Sequence, residues 1–297
     1  MNAPSGPRPK FPLQLDGLNK PARKAVPAVA PRPHVTPVAR AAAVPVRQAG
    51  PERAVLRPQQ PLQQAAVDQA RSARPSGVGF DSSSIRKRMV ERLRTDGLRD
   101  ELVASSMLGV PRHAFVDAAL VSQAYEDTSL PIGLGQTISK PSVVARMIEL
   151  LMQGAHARTQ RSLGQTLEIG TGCGYQAAVL AGLSRQVMSI ERLKPLHDKA
   201  RELLAPLRLM NIRLVYGDGM RGHPPNAPYH SIISAAGGEQ LPDAWLAQLA
   251  VGGRLVAPVH DSTGSRQVLV VVDRTEEGFT RSVHEAVNFV PLKSGMD

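Results

Sequence analysis

Residues 167–181 read LEIGTGCGYQAAVLA, and the rest of the fold can be predicted outward from them. A short strand, LEI, runs directly into the glycine-rich residues 170–174, and the residues that follow favour a helix. Glycines let a backbone approach a ligand closely, and the amino end of a helix favours electron-rich groups. The stretch therefore predicts a strand, a ligand-binding loop and a helix in direct succession.

Strands and helices alternate on the carboxyl-terminal side of this stretch. Strands are predicted at residues 186–191, 212–218 and 229–236, and helices at residues 192–209 and 241–250. This alternation predicts parallel βαβ units in a doubly wound, mostly parallel α/β sheet of the Rossmann-like class. Closely spaced strands after residue 251 predict a hairpin at one edge of the sheet.

Three helices are predicted before the sheet, so the folded part begins with a helical N-terminal preface. Residues 81–97, 98–110 and 139–154 each place apolar side chains at helical spacing. PIGLGQTISKP, residues 131–141, lies between the second and third helices, contains no His, Cys, Asp or Glu, and is predicted as a loop. A polar linker then leads to the strand LEI.

The basic charge of the chain is concentrated in its first 80 residues. The whole chain carries +11, but residues 1–80 hold twelve Lys and Arg against three Asp and Glu, which leaves +2 for the other 217 residues. The same segment holds fourteen of the 25 prolines. This composition favours a disordered, basic, Pro-rich extension over a transit peptide, whose amphipathic helix regular prolines would break. Residues 81–297 are predicted to form the folded domain.

Composition also limits the classes of partner and compartment. The near-neutral folded region disfavours nucleic acid as its partner. No run of about 18 apolar residues is present, so no membrane span is predicted. Cys173 is the single cysteine, so no internal disulfide can form, which suits a cytoplasmic location. No metal site is predicted.

Three successive strand ends supply groups that suit an adenosine. Residues 170–174 form a glycine floor, but Tyr175 stands where the dinucleotide fingerprint has its last glycine, which disfavours a pyrophosphate. An acid at the end of the second strand can accept hydrogen bonds from both ribose hydroxyls, and one after the third can reach an adenine amino group. S-adenosylmethionine fits this site best, and the predicted cofactor contacts are Gly170, Thr171, Gly172, Cys173, Gly174, Glu191, Asp218 and Gly219.

Several motifs resemble those of the protein-L-isoaspartate O-methyltransferase family, in particular its bacterial type. They are VPRHAFV (110–116), AYEDTSLPIGLGQTISKP (124–141), LEIGTGCGYQAAVLA (167–181), SIER (189–192), GDG (217–219), GGRLVAPV (252–259) and FVPL (289–292). The resemblance implies methyl transfer from S-adenosylmethionine to the free α-carboxylate of L-isoaspartyl residues in damaged proteins and peptides. The ester then forms a succinimide, which initiates repair. A monomer is also implied.

The resemblance assigns roles to the TIS residues of the predicted loop. Ser139 is implied to be catalytic and to bind the substrate by orienting its carboxylate, Thr137 to bind substrate, and Ile138 to contact the cofactor. No base is required, because a carboxylate is already ionised at pH 7 and a sulfonium is already an activated donor. Ser139 has an alternative role as the cap of the helix that begins near Pro141.

Four residues depart from the family pattern. Cys173 replaces a usual Ser, Ser142 a larger Tyr or His, and His230 and Ala235 a usual Asp and Thr. These changes bear on activity and substrate preference. Two other interpretations stay open: a methyltransferase acting on RNA or a small molecule, and a degenerate cofactor-binding protein that acts through its basic extension.

Overall fold

The computed structural model describes residues 82–261 and 263–297. The predicted extension, residues 1–80, lies outside the described residues. The three predicted helices before the sheet are present as α1 (Ser82–Thr95), α2 (Glu101–Gly109) and α3 (Pro141–Met152).

The stretch predicted as a loop, residues 131–141, contains most of a β-hairpin instead. β1 (Leu130–Gly133) and β2 (Gln136–Ile138) pair antiparallel. Both residues of the connecting turn have positive φ, 53° at Leu134 and 69° at Gly135. Such turns suit the twist of paired strands. The loop prediction was wrong because a leucine gives no local sign of the left-handed conformation that closes this hairpin.

Seven strands form one mixed sheet. They are β3 (Gly164–Ile169), β4 (Ser184–Glu191), β5 (Ile212–Tyr216), β6 (Tyr229–Ser234), β7 (Leu249–His260), β8 (Gln267–Arg274) and β9 (Phe279–Val287). Their order is β5-β4-β3-β6-β7-β8-β9. β3 to β7 pair parallel, and β8 pairs antiparallel with both β7 and β9. The doubly wound sheet and its edge hairpin are therefore confirmed. The winding direction reverses beside β3, and α/β sheets bind ligands at such a point.

Four further helices follow α3. α4 (Ala155–Gln160) precedes β3, and the strands of the sheet are connected by α5 (Tyr175–Ala181), α6 (Lys194–Leu204) and α7 (Asp243–Gln248). The polar linker predicted before β3 thus contains a short helix. The helix predicted over residues 241–250 ends early, because Leu249 is buried and pairs with Tyr229 as the first residue of β7. No helix within the described ranges is long and apolar enough to cross a membrane.

Apolar side chains of the strands divide between two cores, one on each face of the sheet. On β8, Val270 and Val272 join one core and Val271 joins the other, as strand alternation requires. Trp245 of α7 packs in the first of these cores and donates from Nε1 to the carbonyl of Gly219 at 2.8 Å. The sheet is therefore held rigidly from both faces, which fixes the positions of its carboxyl ends.

Candidate active site

A cavity of about 410 Å³, called the chamber below, lies at the carboxyl ends of β3, β4 and β6. The glycine-rich residues after β3 form one wall, and β2 with the residue that follows it forms another. The chamber brings together nine of the predicted site residues: Thr137, Ile138, Ser139, Gly170, Thr171, Gly172, Cys173, Glu191 and Gly219.

The glycine loop turns tightly against the end of β4. The N–H groups of Gly170 and Thr171 both donate to the carbonyl of Ile190, at 2.9 and 3.1 Å. Gly174, a predicted cofactor contact, does not line the chamber. Its φ is 91°, and a Cβ there would stand 2.9 Å from a methyl carbon of Leu204. Gly174 therefore serves the close packing of the loop on α6.

Glu191 presents a fixed carboxylate to the chamber. It is 5% exposed. One oxygen accepts the N–H of Gly172 and the other the N–H of Leu193, both at 2.9 Å. Each carboxylate oxygen has a further lone pair, so Glu191 can accept two more hydrogen bonds from a ligand without moving.

Asp218 lies outside the lining of the chamber, unlike its neighbour Gly219. Its Oδ1 accepts the N–H of Met220, and its Oδ2 accepts the N–H of Gly295, both at 2.9 Å. Residues 293–297 are anchored further by Arg192, whose Nη2 lies 2.7 Å from Asp297 Oδ2. The N–H of Gly295 thus binds one oxygen of the carboxylate that was predicted to reach an adenine.

Ser139 follows β2 with its backbone fixed and its hydroxyl available. Its carbonyl accepts from Arg112 Nη2 at 2.7 Å, whereas its hydroxyl makes no hydrogen bond to any residue in the described ranges. The structure does not show the alternative role as a helix cap. The cap position of α3 is Lys140, with no side-chain hydrogen bond, and Asp127 accepts the N–H of Ser142 at 2.8 Å.

Arg112 supports this wall from behind and was not predicted. It is 0% exposed. Its Nε donates to the carbonyl of Ala124 at 2.8 Å, its guanidinium stacks 4.8 Å from the centre of the Tyr175 ring, and its Nη1 has no partner. Burial lowers the pKa of Arg112. The available signal was an arginine enclosed by apolar residues in VPRHAFV.

Glu168 supports the opposite wall and was also missed. This β3 residue is fully buried, and burial raises the pKa of its carboxyl to about 8. Its oxygens bond to Gln176 Nε2 at 3.0 Å and Ser189 Oγ at 2.5 Å. Ser189 in turn bonds to the Thr171 hydroxyl at 2.6 Å, which leads the network to the chamber. An acid in the middle of the otherwise apolar LEI was the signal in the sequence.

The four departures from the family pattern fall in different places. Cys173 lines the chamber with its thiol neutral, because burial raises its pKa to about 11. Ala235 also lines the chamber. Ser142 is held by Asp127. His230 lies near the amino end of β6, stacked 3.9 Å from His156, so it belongs to the opposite end of the sheet.

Two further observations concern His113 and groups that could bind a metal ion. His113 Nδ1 lies 2.6 Å from the Tyr125 hydroxyl. This pairing fits a structural role for the histidine. The described part of the chain places no group of three or more His, Cys, Asp or Glu side chains for a metal ion.

Comparisons with known proteins match the chain over the residues that form this fold. The family model described as protein-L-isoaspartate(D-aspartate) O-methyltransferase (PCMT) matches residues 84–297. The protein-L-isoaspartate O-methyltransferase of Methylibium petroleiphilum is 57% identical over 300 residues, which cover 100% of both chains. That of Leptothrix cholodnii is 62% identical over 240 residues, covering 80% of this chain and 84% of its own.

Solved structures show the same fold. One protein-L-isoaspartate O-methyltransferase structure has a TM-score of 0.63 and 25% identity, and covers 71% of this chain and 67% of its own. A Plasmodium falciparum protein of the same description, solved in complex with S-adenosyl-L-homocysteine, has a TM-score of 0.60 and 23% identity, and covers 70% of this chain and 98% of its own.

Proposed function

The chain belongs to the protein-L-isoaspartate(D-aspartate) O-methyltransferase family, and on this premise we propose that it methylates the free α-carboxylate of L-isoaspartyl residues in damaged proteins and peptides. S-adenosylmethionine, when bound, supplies an activated methyl group on its sulfonium. The methyl ester then collapses to a succinimide, whose hydrolysis returns part of the damaged sites to normal aspartate.

The chamber suits this methyl donor. Glu191 offers two free lone pairs for the ribose hydroxyls. Gly172 has a φ of 55°, and a Cβ there would stand 3.2 Å from Ile132 Cδ1, so a glycine suits this position of the chamber wall. The other proposed contacts are Ile138, Gly170, Thr171, Cys173 and Gly219. Asp218 keeps one free lone pair on each carboxylate oxygen for the adenine amino group, although it lies outside the lining of the chamber.

The reaction at the substrate requires the protein to orient the carboxylate and does not require a general base. An α-carboxylate is ionised at pH 7, so it is already the nucleophile. Ser139 donates its hydroxyl to one carboxylate oxygen, which leaves the other free to attack. Arg112 holds the carbonyl of Ser139, and Thr137 completes the wall beside it. The two bound reactants would themselves have to displace water from the reacting atoms.

One observation carries this assignment of the site. The TIS residues, 137–139, form a chamber wall together with the glycine loop, and Ser139 brings an unpaired hydroxyl to it. No acid or base is required there, since neither reactant needs activation. The absence of His, Cys, Asp and Glu from residues 131–141 thus agrees with a carboxyl methyltransferase.

The test uses an isoaspartyl peptide, its aspartyl twin, and the variant Ser139→Ala. We expect methylation of the isoaspartyl peptide alone and a loss of turnover of about 10²-fold in Ser139→Ala, because one oriented donor to the reacting carboxylate is removed. Binding of S-adenosylhomocysteine, measured by calorimetry, should stay within twofold. Ser282→Ala, on the exposed strand β9, is the matched control.

Each failure has a distinct meaning. Full turnover in Ser139→Ala overturns the role of Ser139 but not the reaction. Methylation of neither peptide, with cofactor binding retained, overturns the proposed reaction and favours a methyltransferase on RNA or a small molecule, or a degenerate cofactor-binding protein.

Residues 1–80 are proposed to be an appendage to the catalytic domain, residues 81–297. Deletion of residues 1–80 should therefore leave the specific activity unchanged. A cytoplasmic location, a monomeric state, and a folded domain that does not bind nucleic acid stay predictions.

A further inference from the structure

We propose that a second cavity beside Ser139 binds the polypeptide that flanks the isoaspartyl residue, and that Lys140 and Arg266 there select acidic flanking residues. This inference rests on the proposed function, since it names the class of peptide that the site prefers. The cavity, called the flank groove below, has a volume of about 600 Å³.

The flank groove and the chamber share a wall. Thr137, Ser139, Ala235 and Val290 line both cavities. A carboxylate bound at the Ser139 hydroxyl therefore stands at the boundary between them. The methyl donor occupies the chamber on one side, so the rest of the peptide is directed into the flank groove on the other.

The flank groove has two chemically different parts. Val143 of α3 with Ala286 and Val287 of β9 provides an apolar surface. Lys140 and residues of the connection between β7 and β8 make the other part polar and basic. The flank groove therefore offers a peptide both apolar and charged contacts.

The basic part consists of Lys140, His260 and Arg266, and the lining of the flank groove includes no Asp or Glu. Lys140 is exposed and forms no ion pair within the described ranges. Arg266 is 72% exposed at its side chain, and its Nε lies 3.3 Å from Asp261 Oδ2. The Asp261 carboxylate is thus partnered through one nitrogen of the guanidinium.

The remaining nitrogens of Arg266 stay available for a second carboxylate. Asp261 Oδ1 accepts from Thr263 Oγ1 at 2.7 Å, which holds the carboxylate in the turn rather than over the flank groove. Guanidinium groups can bind carboxylates through two parallel N–H groups. Arg266 therefore remains a recognition group for an acidic side chain in spite of its ion pair.

Acidic residues beside the isoaspartate should raise kcat/KM. Exposed ion pairs are individually weak, so the two cations together should give about three- to tenfold preference for Glu flanks over Gln flanks. Lys flanks should be disfavoured by a similar factor. Salt should reduce the preference, since both cations are exposed.

The experiment compares three isoaspartyl peptides that carry Glu, Gln or Lys on both sides of the isoaspartate, with the full-length chain as the enzyme. Lys140→Glu and Arg266→Glu, alone and combined, should reverse the order from Glu over Lys to Lys over Glu. Arg281→Glu makes the same charge change on β9 outside the flank groove, and should keep the Glu preference and the turnover of the Gln peptide.

The outcomes separate this inference from the proposed function. Equal kcat/KM for the three peptides, or a preference for Lys flanks in the unmodified chain, overturns the inference while isoaspartyl methylation stands. A Glu preference that persists in the double variant overturns the assignment to Lys140 and Arg266. Failure to methylate any of the three peptides contradicts the proposed function itself.

Discussion

Arg112 and Glu168 are both fully buried ionisable side chains, and they lie behind different walls of the chamber. Arg112 backs the wall that carries Ser139, and its hydrogen bonds go to backbone carbonyl groups. Glu168 backs the glycine loop, and its partners are a hydroxyl and an amide. Burial disfavours the charged form of each, but only the carboxyl can become neutral near pH 7.

The difference matches the charges of the two reactants. The wall that carries Ser139 keeps a buried positive charge that has no ion pair within the described residues, on the side where the proposed substrate carboxylate would bind. The wall behind the glycine loop holds an acid that is mostly protonated at pH 7, since the pKa of Glu168 is about 8. The chamber thus has a fixed charge behind one wall and a titratable, neutral group behind the other.

Replacement of Arg112 should give the largest effect. Arg112→Met leaves the carbonyls of Ala124 and Ser139 without a donor in a buried site, so the free energy of unfolding should fall by about 3 kcal/mol. Turnover should fall at least about tenfold, because Ser139 loses its support. Urea denaturation and isoaspartyl-peptide kinetics measure the two effects.

Two further variants make this result interpretable. Arg112→Lys keeps the charge but cannot donate to two carbonyls in the same geometry, so it should recover part of the stability and part of the turnover. Arg94→Met removes an exposed arginine on α1 and should change neither quantity. If Arg112→Met has the same free energy of unfolding and the same turnover as the unmodified chain, the buried cation has no positioning role.

The sequence predicted the wall formed by the glycine loop more completely than the wall that carries Ser139. The strand LEI, the glycine loop and Glu191 follow from strand ends in a parallel sheet, a pattern that local periodicity reveals. The hairpin could not be predicted, since it depends on positive φ at Leu134. Arg112 and Glu168 were missed because the cost of burying a charge is met by partners distant in sequence, such as Ser139 for Arg112 and Ser189 for Glu168. The pairing of Asp218 with Gly295, 77 residues away, is another such contact.

Replacement of Glu168 should give a smaller effect that depends on pH. The folded state holds the Glu168 proton up to a pKa of about 8, against an ordinary 4.5, so this stabilisation is complete below pH 4.5 and is lost as pH rises through 8. Glu168→Gln mimics the protonated acid and removes this titration. Between pH 6 and 9 the unmodified chain should lose about 2 to 3 kcal/mol of unfolding free energy that the variant keeps.

Thermal or urea unfolding at several pH values measures this difference. Glu202→Gln changes a carboxyl on α6, outside the chamber lining, and serves as the control. Its free energy of unfolding should depend on pH as that of the unmodified chain does. Parallel pH dependence in Glu168→Gln and the unmodified chain would show that Glu168 is ionised in the folded protein. The contrast with the permanently charged Arg112 would then be lost.

The smallest predicted effect concerns the reactivity of the Cys173 thiol, whose pKa responds to the charges of both Arg112 and Glu168. Burial raises the pKa of its thiol to about 11, the charge of Arg112 acts to lower that pKa, and the charge of Glu168 acts to raise it. Alkylation by iodoacetamide at pH 8.5 should therefore be far slower in the folded chain than in urea, and S-adenosylhomocysteine should slow it further, since Cys173 lines the chamber.

Glu168→Gln should speed alkylation of the folded chain by less than about tenfold and Arg112→Met should slow it, because a change of one pKa unit alters the thiolate fraction tenfold. Arg112→Lys, which retains the charge, should leave the rate unchanged, and this separates an electrostatic effect from a loosened fold. Equal native rates in all four proteins would show that neither buried group acts on the chamber through its charge.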